Sequence, residues 1–160
     1  MPTAGKDGIE ETEKRFLTGV LMPEIIILPE ARELGLPVML ANLIRQNIEK
    51  RPDKIRPFES LDAKVLIEIP DIQTSAGLEF HRGKLTLSKD LSGIPDLHIL
   101  TDSATILDLS LLKIKFGLPY FFDKNGFKIL KKILSREIVI NGLFKNFSVL
   151  INLTKVISIV

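Results

Sequence analysis

His81 and His98 are the only two histidines of the sequence, and there is no cysteine. Histidine is the side chain best suited to act as a base near neutral pH, and both residue types bind metals. Both histidines stand at polar positions of stretches in which polar and apolar residues alternate, so we expect them on the solvent side of strands. No His, Asp or Glu pair has metal-ligand spacing. We interpret both as structural surface residues; the alternative is a metal ligand or a general base.

Other patterns that carry chemistry are missing from the sequence. It contains no Gly-x-Ser-x-Gly nucleophile elbow, no phosphate-binding glycine loop and no dinucleotide fingerprint. Asp102 and Asp108 are interpreted as a helix cap and as part of a solvated face rather than as a catalytic pair. We therefore predict no catalytic residue, no metal, no cofactor and no enzymatic activity.

Four lysines recur at three- and four-residue spacing in one predicted helix: Lys124, Lys128, Lys131 and Lys132. This spacing makes a basic stripe opposite an apolar face. The stripe is either a solvated face or a contact with anionic lipid headgroups, which basic amphipathic helices bind. Nucleic-acid binding is a third interpretation, with Phe121 and Phe122 as stacking platforms, but no RNA-binding motif accompanies them. We expect no nucleic-acid partner.

The elements that position these residues begin with a run of alternating apolar side chains between Ala63 and Asp102. A period of two predicts half-buried strands, and Arg82-Gly83 predicts a tight turn, since glycine tolerates positive φ. The residues expected on the buried face are Val65, Ile67, Ile69, Ala76, Leu78, Phe80, Leu85, Leu87, Leu97 and Ile99.

Helical patterns flank these strands. Apolar residues from Leu40 to Ile48 share one helical face after Pro37, and further helices are predicted over 104–112, 120–134 and 147–159, with a fifth strand over 136–140. One five-stranded sheet needs fewer apolar helical faces than these. The surplus predicts a cavity lined by aliphatic side chains.

Four segments in this order resemble the sterol carrier protein 2 (SCP2) family. They are Gly83-Lys84-Leu85-Thr86-Leu87, Pro95-Asp96-Leu97-His98-Ile99-Leu100-Thr101-Asp102-Ser103, Ile106-Leu107-Asp108-Leu109 and Glu137-Ile138-Val139-Ile140-Asn141-Gly142. The resemblance covers roughly residues 38 to 158. It departs from the family in a longer connection over 117–125 and in the region before Pro37, which has no counterpart.

The resemblance implies an α+β fold, in which a five-stranded mixed sheet is covered on one face by helices and a hydrophobic tunnel holds a lipid tail. It divides the chain into an N-terminal arm, 1–36, partly disordered, and a lipid-binding domain, 37–160. The tunnel residues expected from it are Ile106, Leu109, Leu112, Phe121, Phe122, Ile129, Leu130, Ile133, Leu150 and Leu153.

The implied function is non-catalytic binding, transfer or presentation of a lipid, whether fatty acyl, acyl-CoA, isoprenoid or sterol-like. One alternative is an accessory subunit that presents a lipid-like substrate to a partner enzyme, as in quinone biosynthesis. Another is a hydrolase or transferase, against which the missing acid/base residues argue. We expect a lipid ligand, transient contact with an anionic membrane surface and, in the second case, a partner enzyme.

Composition agrees with a protein that has a large aliphatic core. The 160 residues are 45% hydrophobic and only 6% aromatic, with a mean hydropathy of +0.21. No segment has the roughly 18 apolar residues of a membrane-spanning helix, and the acidic first fifteen residues do not suit a signal peptide. With no cysteine and no peroxisomal C-terminal signal, we expect a cytoplasmic protein of prokaryotic origin.

Charge is divided unevenly along the chain. From Lys113 onward the net charge is +7, whereas the rest of the chain carries −5. Such a dipolar distribution bears on the partners of a protein rather than on its fold.

Overall fold

The computed structural model describes residues 23–160, which form a mixed sheet, a small hairpin and five α-helices. The strands are β1 Glu24–Ile27, β2 Ala63–Ile69, β3 Thr74–His81, β4 Lys84–Ser88, β5 Leu97–Leu100, β6 Ile114–Lys115, β7 Leu118–Pro119 and β8 Val139–Asn141. The helices are α1 Gly35–Lys50, α2 Ile55–Glu59, α3 Ser103–Ser110, α4 Lys124–Leu134 and α5 Phe147–Ile157.

The large sheet has the strand order β1-β4-β3-β2-β5-β8. Strands β2, β3 and β4 form an antiparallel meander, while β1 runs parallel to β4 and β5 runs parallel to β2. Strand β8 closes the other edge antiparallel to β5. The two-residue turn Arg82-Gly83 joins β3 to β4 with positive φ at both residues, 48° and 75°, which confirms the predicted turn.

One face of this sheet is the centre of the hydrophobic core. Each of the ten residues predicted for that face from the period of two is buried, none more than 5% exposed. Helices α1 and α5 cover them with residues that include Leu40, Ile44, Leu153 and Val156. The alternation therefore identified correctly the strands and the face that the helices cover.

The sheet has six strands rather than the five predicted, because Glu24–Ile27 pairs with β4. This strand lies within the segment 1–36 that was assigned to an N-terminal arm, so the packed fold includes residues before 37. Its sequence, Glu-Ile-Ile-Ile, shows no alternation because all four residues are half-buried at the sheet edge. The rest of the predicted arm, residues 1–22, lies outside the described residues.

The region predicted as helical over 120–134 forms a helix only over its later part. The residues before it, 114–119, form a hairpin of strands β6 and β7, with Ile114 opposite Pro119. Helix α4 begins only at Lys124, after Asp123 caps it by accepting a hydrogen bond from the Gly126 amide at 2.8 Å. A capping aspartate is a strong helix start signal, and the helical spacing of apolar residues beyond it extended the prediction too far.

Helix α5 is held at its C-terminal end by polar side chains from α1 and from the turn that follows α1. The Asn47 amide donates hydrogen bonds to the carbonyls of Val156 (2.9 Å) and Ile157 (2.8 Å). The Lys54 ammonium donates to the carbonyl of Lys155 at 2.8 Å and also to that of Ser158. The last carbonyls of a helix have no partner within it and carry its negative dipole end, so a cation and an amide stabilise them. We call Asn47 and Lys54 the α5 clasp.

The α5 clasp predicts a large effect of a buried amide on stability. Replacing Asn47 with Leu leaves two carbonyls without these donors, and we expect a loss of about 2 kcal/mol in the free energy of unfolding. Asn42→Leu, on the exposed side of the same helix, is the matched control and should change it by less than about 0.5 kcal/mol. Urea unfolding measures both. Equal effects of the two substitutions would contradict the clasp.

Candidate functional site

An apolar cavity of about 170 Å³ lies between the sheet and the helices. Its floor is formed by β2, β5 and the β8 region through Ile67, Ile99, Ile138 and Ile140. Helices α1, α3, α4 and α5 form its walls. The wall residues are Met39, Leu40, Leu43, Ile106, Leu107, Leu109, Ser110, Ile133, Leu150, Leu153, Thr154 and Ile157.

The lining offers almost no polar chemistry. Fourteen of its sixteen residues are aliphatic, with methionine counted among them, and the other two are Ser110 and Thr154. Both hydroxyls already donate within their own helices, Ser110 to the Leu107 carbonyl at 2.7 Å and Thr154 to the Leu150 carbonyl at 2.8 Å. The cavity therefore suits an apolar group and has no ionisable side chain in its lining.

Two residues of the lining, one on α1 and one on α3, reach the surface and mark the mouth of the cavity. Met39 and Leu107 belong to the lining and are also 38% and 59% exposed. An exposed apolar side chain beside an apolar cavity marks a route by which a ligand can enter without crossing polar surface.

Five of the ten predicted tunnel residues line this cavity: Ile106, Leu109, Ile133, Leu150 and Leu153. Ile106 and Leu109 share one face of α3, and Leu150 and Leu153 share one face of α5, because residues three apart lie on the same side of a helix. Ile133 comes from α4. Their contact with a ligand stays a prediction.

The other five predicted residues lie elsewhere. Leu112 and Ile129 are buried in a separate small cluster with Ile138, against which Phe121 packs. Phe122 points to solvent and is 89% exposed, and Leu130 is half-buried outside the lining. For Phe121 and Phe122 the reason is the late start of α4, because both precede the helix and helical spacing does not place them on its inner face.

Sequence reasoning missed the contribution of α1 to the cavity. Met39 and Leu43 flank the predicted core residue Leu40 on that helix. The amphipathic pattern of α1 was visible, but the sequence does not say that this helix passes beside α3. Of the floor residues, Ile67 and Ile99 were predicted for the buried face of the sheet, which is consistent with their position beneath the cavity.

Two of the four lysines in the predicted basic stripe of α4 form ion pairs with carboxylates at α3. The Lys128 ammonium lies 2.7 Å from the Asp108 carboxylate. Lys132, whose side chain is only 16% exposed, lies 3.6 Å from Asp102 and donates to the Thr105 hydroxyl. Asp108 is thus an ion-pair partner rather than part of a solvated face. Within residues 23–160, Lys124 and Lys131 form no ion pair, so they are the lysines of the stripe that keep a charge available for a headgroup.

Asp102 caps α3, as the sequence predicted. Its carboxylate accepts hydrogen bonds from the Thr105 hydroxyl and amide, each at 2.8 Å. The Thr105 hydroxyl, the Thr105 amide and the nearby Lys132 hold the pKa of Asp102 below its usual value, against the opposing effect of burial. This network fixes the start of α3, the helix that supplies four lining residues to the cavity.

Both histidines lie on the polar side of the sheet, as predicted, and each has a carboxylate partner. His81 Nδ1 lies 2.9 Å from Asp62, and His98 Nε2 lies 2.7 Å from Glu68. Periodicity could not indicate these partners, because they come from other strands and loops. Among the residues described, no group of three or more His, Asp or Glu could hold a metal ion.

No helix in the described part of the chain is long and apolar enough to cross a membrane.

Solved structures with a similar fold include UbiJ-SCP2, a ubiquinone synthesis protein, with a TM-score of 0.55 and 14% identity over 77% of this chain and 96% of that chain. A crystal structure of sterol carrier protein 2 has a TM-score of 0.46 and 11% identity over 76% of this chain and 95% of that chain. A conserved hypothetical protein of Thermus thermophilus has a TM-score of 0.42 and 11% identity over 74% of this chain and 84% of that chain. No family model and no curated protein matches the sequence. The first of these structures confirms the predicted α+β, SCP2-like fold.

The Asp102 cap predicts an acid-dependent loss of stability. Asp102→Asn keeps a capping side chain but removes the charge. Because the folded-state pKa is lowered, the charge stabilises the fold above the unfolded pKa of about 3.9, and this stabilisation disappears as pH falls through the folded pKa. The parent should therefore be more stable than the variant at about pH 6, and the two should converge below about pH 3.9.

Thermal unfolding across this pH range measures the difference, with the exposed Asp90→Asn as the control for a charge change. A gap between parent and Asp102→Asn that stays constant as the pH falls from about 6 into the acid range would show that the charge of Asp102 plays no part.

Proposed function

We propose that the protein binds the aliphatic chain of a lipid, without chemical conversion, in the cavity between its sheet and its helices. The observation that carries this proposal is the lining: fourteen aliphatic side chains, no charged group and two hydroxyls that are already bonded. A polar substrate would find no partner there, whereas an alkyl chain gains about 25 cal/mol for each Å² of apolar surface removed from water. The SCP2-like fold supports the same ligand class.

Cavity size limits how the chain is held. An apolar cavity of about 150 Å³ accommodates benzene, and pockets for whole small molecules measure roughly 300–1,000 Å³. At about 170 Å³, the cavity takes one segment of a long chain. The remainder leaves through the mouth beside Met39 and Leu107, or α1 and α3 move apart to admit it.

The size of the cavity favours flexible chains over rigid ring systems. At about 170 Å³ it admits a segment of a flexible chain, whereas a rigid fused-ring ligand must enter whole and needs a pocket of roughly 300 Å³ or more. Fatty acyl and isoprenoid chains therefore rank above sterols. The similar structure of a ubiquinone synthesis protein makes presentation of an isoprenoid lipid to a partner enzyme the second form of the proposal, and a cytoplasmic location suits both forms.

Binding of a fluorescent fatty acid tests the proposal. We expect saturable binding at micromolar concentration and displacement by unlabelled long-chain lipids, because burial of several methylene groups is worth about 0.8 kcal/mol each. Mass spectrometry of organic extracts identifies any lipid that purifies with the protein. Absence of binding across acyl, isoprenoid and sterol probes would contradict the proposal, as would turnover of a substrate by a protein that carries no lipid.

A bulky side chain in the cavity should block the same binding. Ile106→Trp places an indole in the lining, and we expect at least a tenfold loss of probe affinity with the fold retained. Leu111→Trp is the matched control, because Leu111 follows the same helix, is 46% exposed and lies outside the lining. Leu109→Asp should abolish uptake or unfold the domain, since it buries a carboxylate, whereas His98→Ala should do neither. Equal affinities of the two tryptophan variants would place the ligand elsewhere.

A further inference from the structure

The hairpin of β6 and β7 carries a phenylalanine at its tip. Phe116 and Gly117 form the two-residue turn, because Lys115 pairs with Leu118. Both turn residues have positive φ, 53° for Phe116 and 77° for Gly117. Such turns favour Asn, Asp and Gly, and a bulky side chain with positive φ is uncommon. The Phe116 side chain is fully exposed, so packing against residues 23–160 does not account for it.

Further exposed apolar side chains follow the turn. Leu118 and Phe122 are 52% and 89% exposed. Tyr120 lies between them in sequence, with its ring 5.8 Å from that of Phe122 and with the Lys115 ammonium 3.9 Å above it. We call Phe116, Leu118 and Phe122 the apolar ridge. It combines exposed apolar groups with a cation at its side.

A basic groove of about 380 Å³ lies beside the same hairpin. The hairpin contributes Ile114 and Gly117 to it, and the basic residues of its lining are Arg51, Lys54, Arg56 and Lys155. Among the described residues, Asp53 is the only acidic side chain in the lining, and Arg51 already binds it at 3.1 Å. Burial, followed by the charge of Arg51, lowers the pKa of Lys54.

Two cations of the groove are available to a ligand. Arg56 and Lys155 both line it, and neither forms an ion pair within residues 23–160. Guanidinium and ammonium groups held beside each other bind phosphate oxygens well.

We propose that the apolar ridge and the basic groove form one docking surface for a bilayer that contains anionic phospholipids. Phe116 enters the boundary between headgroups and acyl chains, and Arg56 and Lys155 bind a headgroup phosphate. The arrangement of exposed aromatic groups beside cations suits this interface, where both the apolar contact and the attraction to negative charge contribute.

This surface is separate from the cavity. Helix α5 supplies Leu153, Thr154 and Ile157 to the cavity but Lys155 to the groove. Lys155 is two residues from Leu153 and from Ile157, which places it on another side of the helix. Docking therefore goes beyond the proposed ligand binding and does not require a filled cavity.

Co-sedimentation with phosphatidylcholine vesicles, with and without phosphatidylglycerol, tests the proposal. Phe116→Asn gives the turn the Asn-Gly sequence that it favours, so the thermal stability should stay the same or rise. Binding to the vesicles that contain phosphatidylglycerol should nevertheless weaken about tenfold or more, because the ring no longer leaves water on docking. A Phe116→Asn protein that sediments as well as the parent would overturn the proposal.

The charged half of the surface has a matched control on α4. Arg56→Gln with Lys155→Gln should weaken binding to the phosphatidylglycerol vesicles at low salt and reduce its salt dependence. Lys124→Gln with Lys131→Gln removes the same charge from the predicted basic stripe and should have little effect. The proposal fails if the α4 variant loses more binding than the groove variant. It also fails if the parent sediments equally with both kinds of vesicle, or with neither.

Affinity for the fluorescent fatty acid separates this result from the proposed function. All three variants should bind the probe as the parent does. If the variants bind the probe and sediment as the parent does, only the docking proposal is contradicted. If the parent does not bind the probe, the proposed cavity ligand is contradicted, and the docking proposal is judged by sedimentation alone.

Discussion

Helix α5 can cover the sheet because its last carbonyl groups find partners in Asn47 and Lys54. Folding removes four carbonyls at this helix end from water, and without these partners they would have no hydrogen bond in its place. The same helix supplies Leu153 and Val156 to the core and a wall to the cavity. A polar contact between distant parts of the chain thus determines where the apolar surfaces meet.

The cavity follows from how the helices are placed rather than from any one of them. Helices α1 and α5 pack on the sheet, and α3 and α4 form a second small cluster around Leu112, Ile129 and Ile138. Ion pairs from Lys128 and Lys132 join α4 to α3. Because α4 is held against α3 and its own cluster, the space above β2, β5 and β8 is left to apolar side chains that only partly fill it.

The lysines of the chain serve different ends according to what surrounds them. Lys54 is buried and stabilises a helix terminus, and Lys132 joins two helices through an ion pair. Lys155 lies in the groove beside the hairpin and forms no ion pair within residues 23–160. The uneven charge of the sequence predicted that the C-terminal part of the chain bears on partners. The positions of these side chains, rather than the total charge, decide which of them can reach a partner.

The sequence alone determined the strands of the meander, the buried face of the sheet and the cap at Asp102. These features depend on local periodicity and on short-range hydrogen bonds, which neighbouring residues reveal. The edge strand Glu24–Ile27, the hairpin at Phe116, the partners of both histidines and the division of the lysine stripe came only from the tertiary structure. The edge strand, the histidine partners and the ion pairs of α4 depend on contacts between residues far apart in the chain, and periodicity within one segment carries no information about a distant partner. The hairpin is local, but Phe116-Gly117 is not a residue pair that such turns favour, so no turn signal marks it.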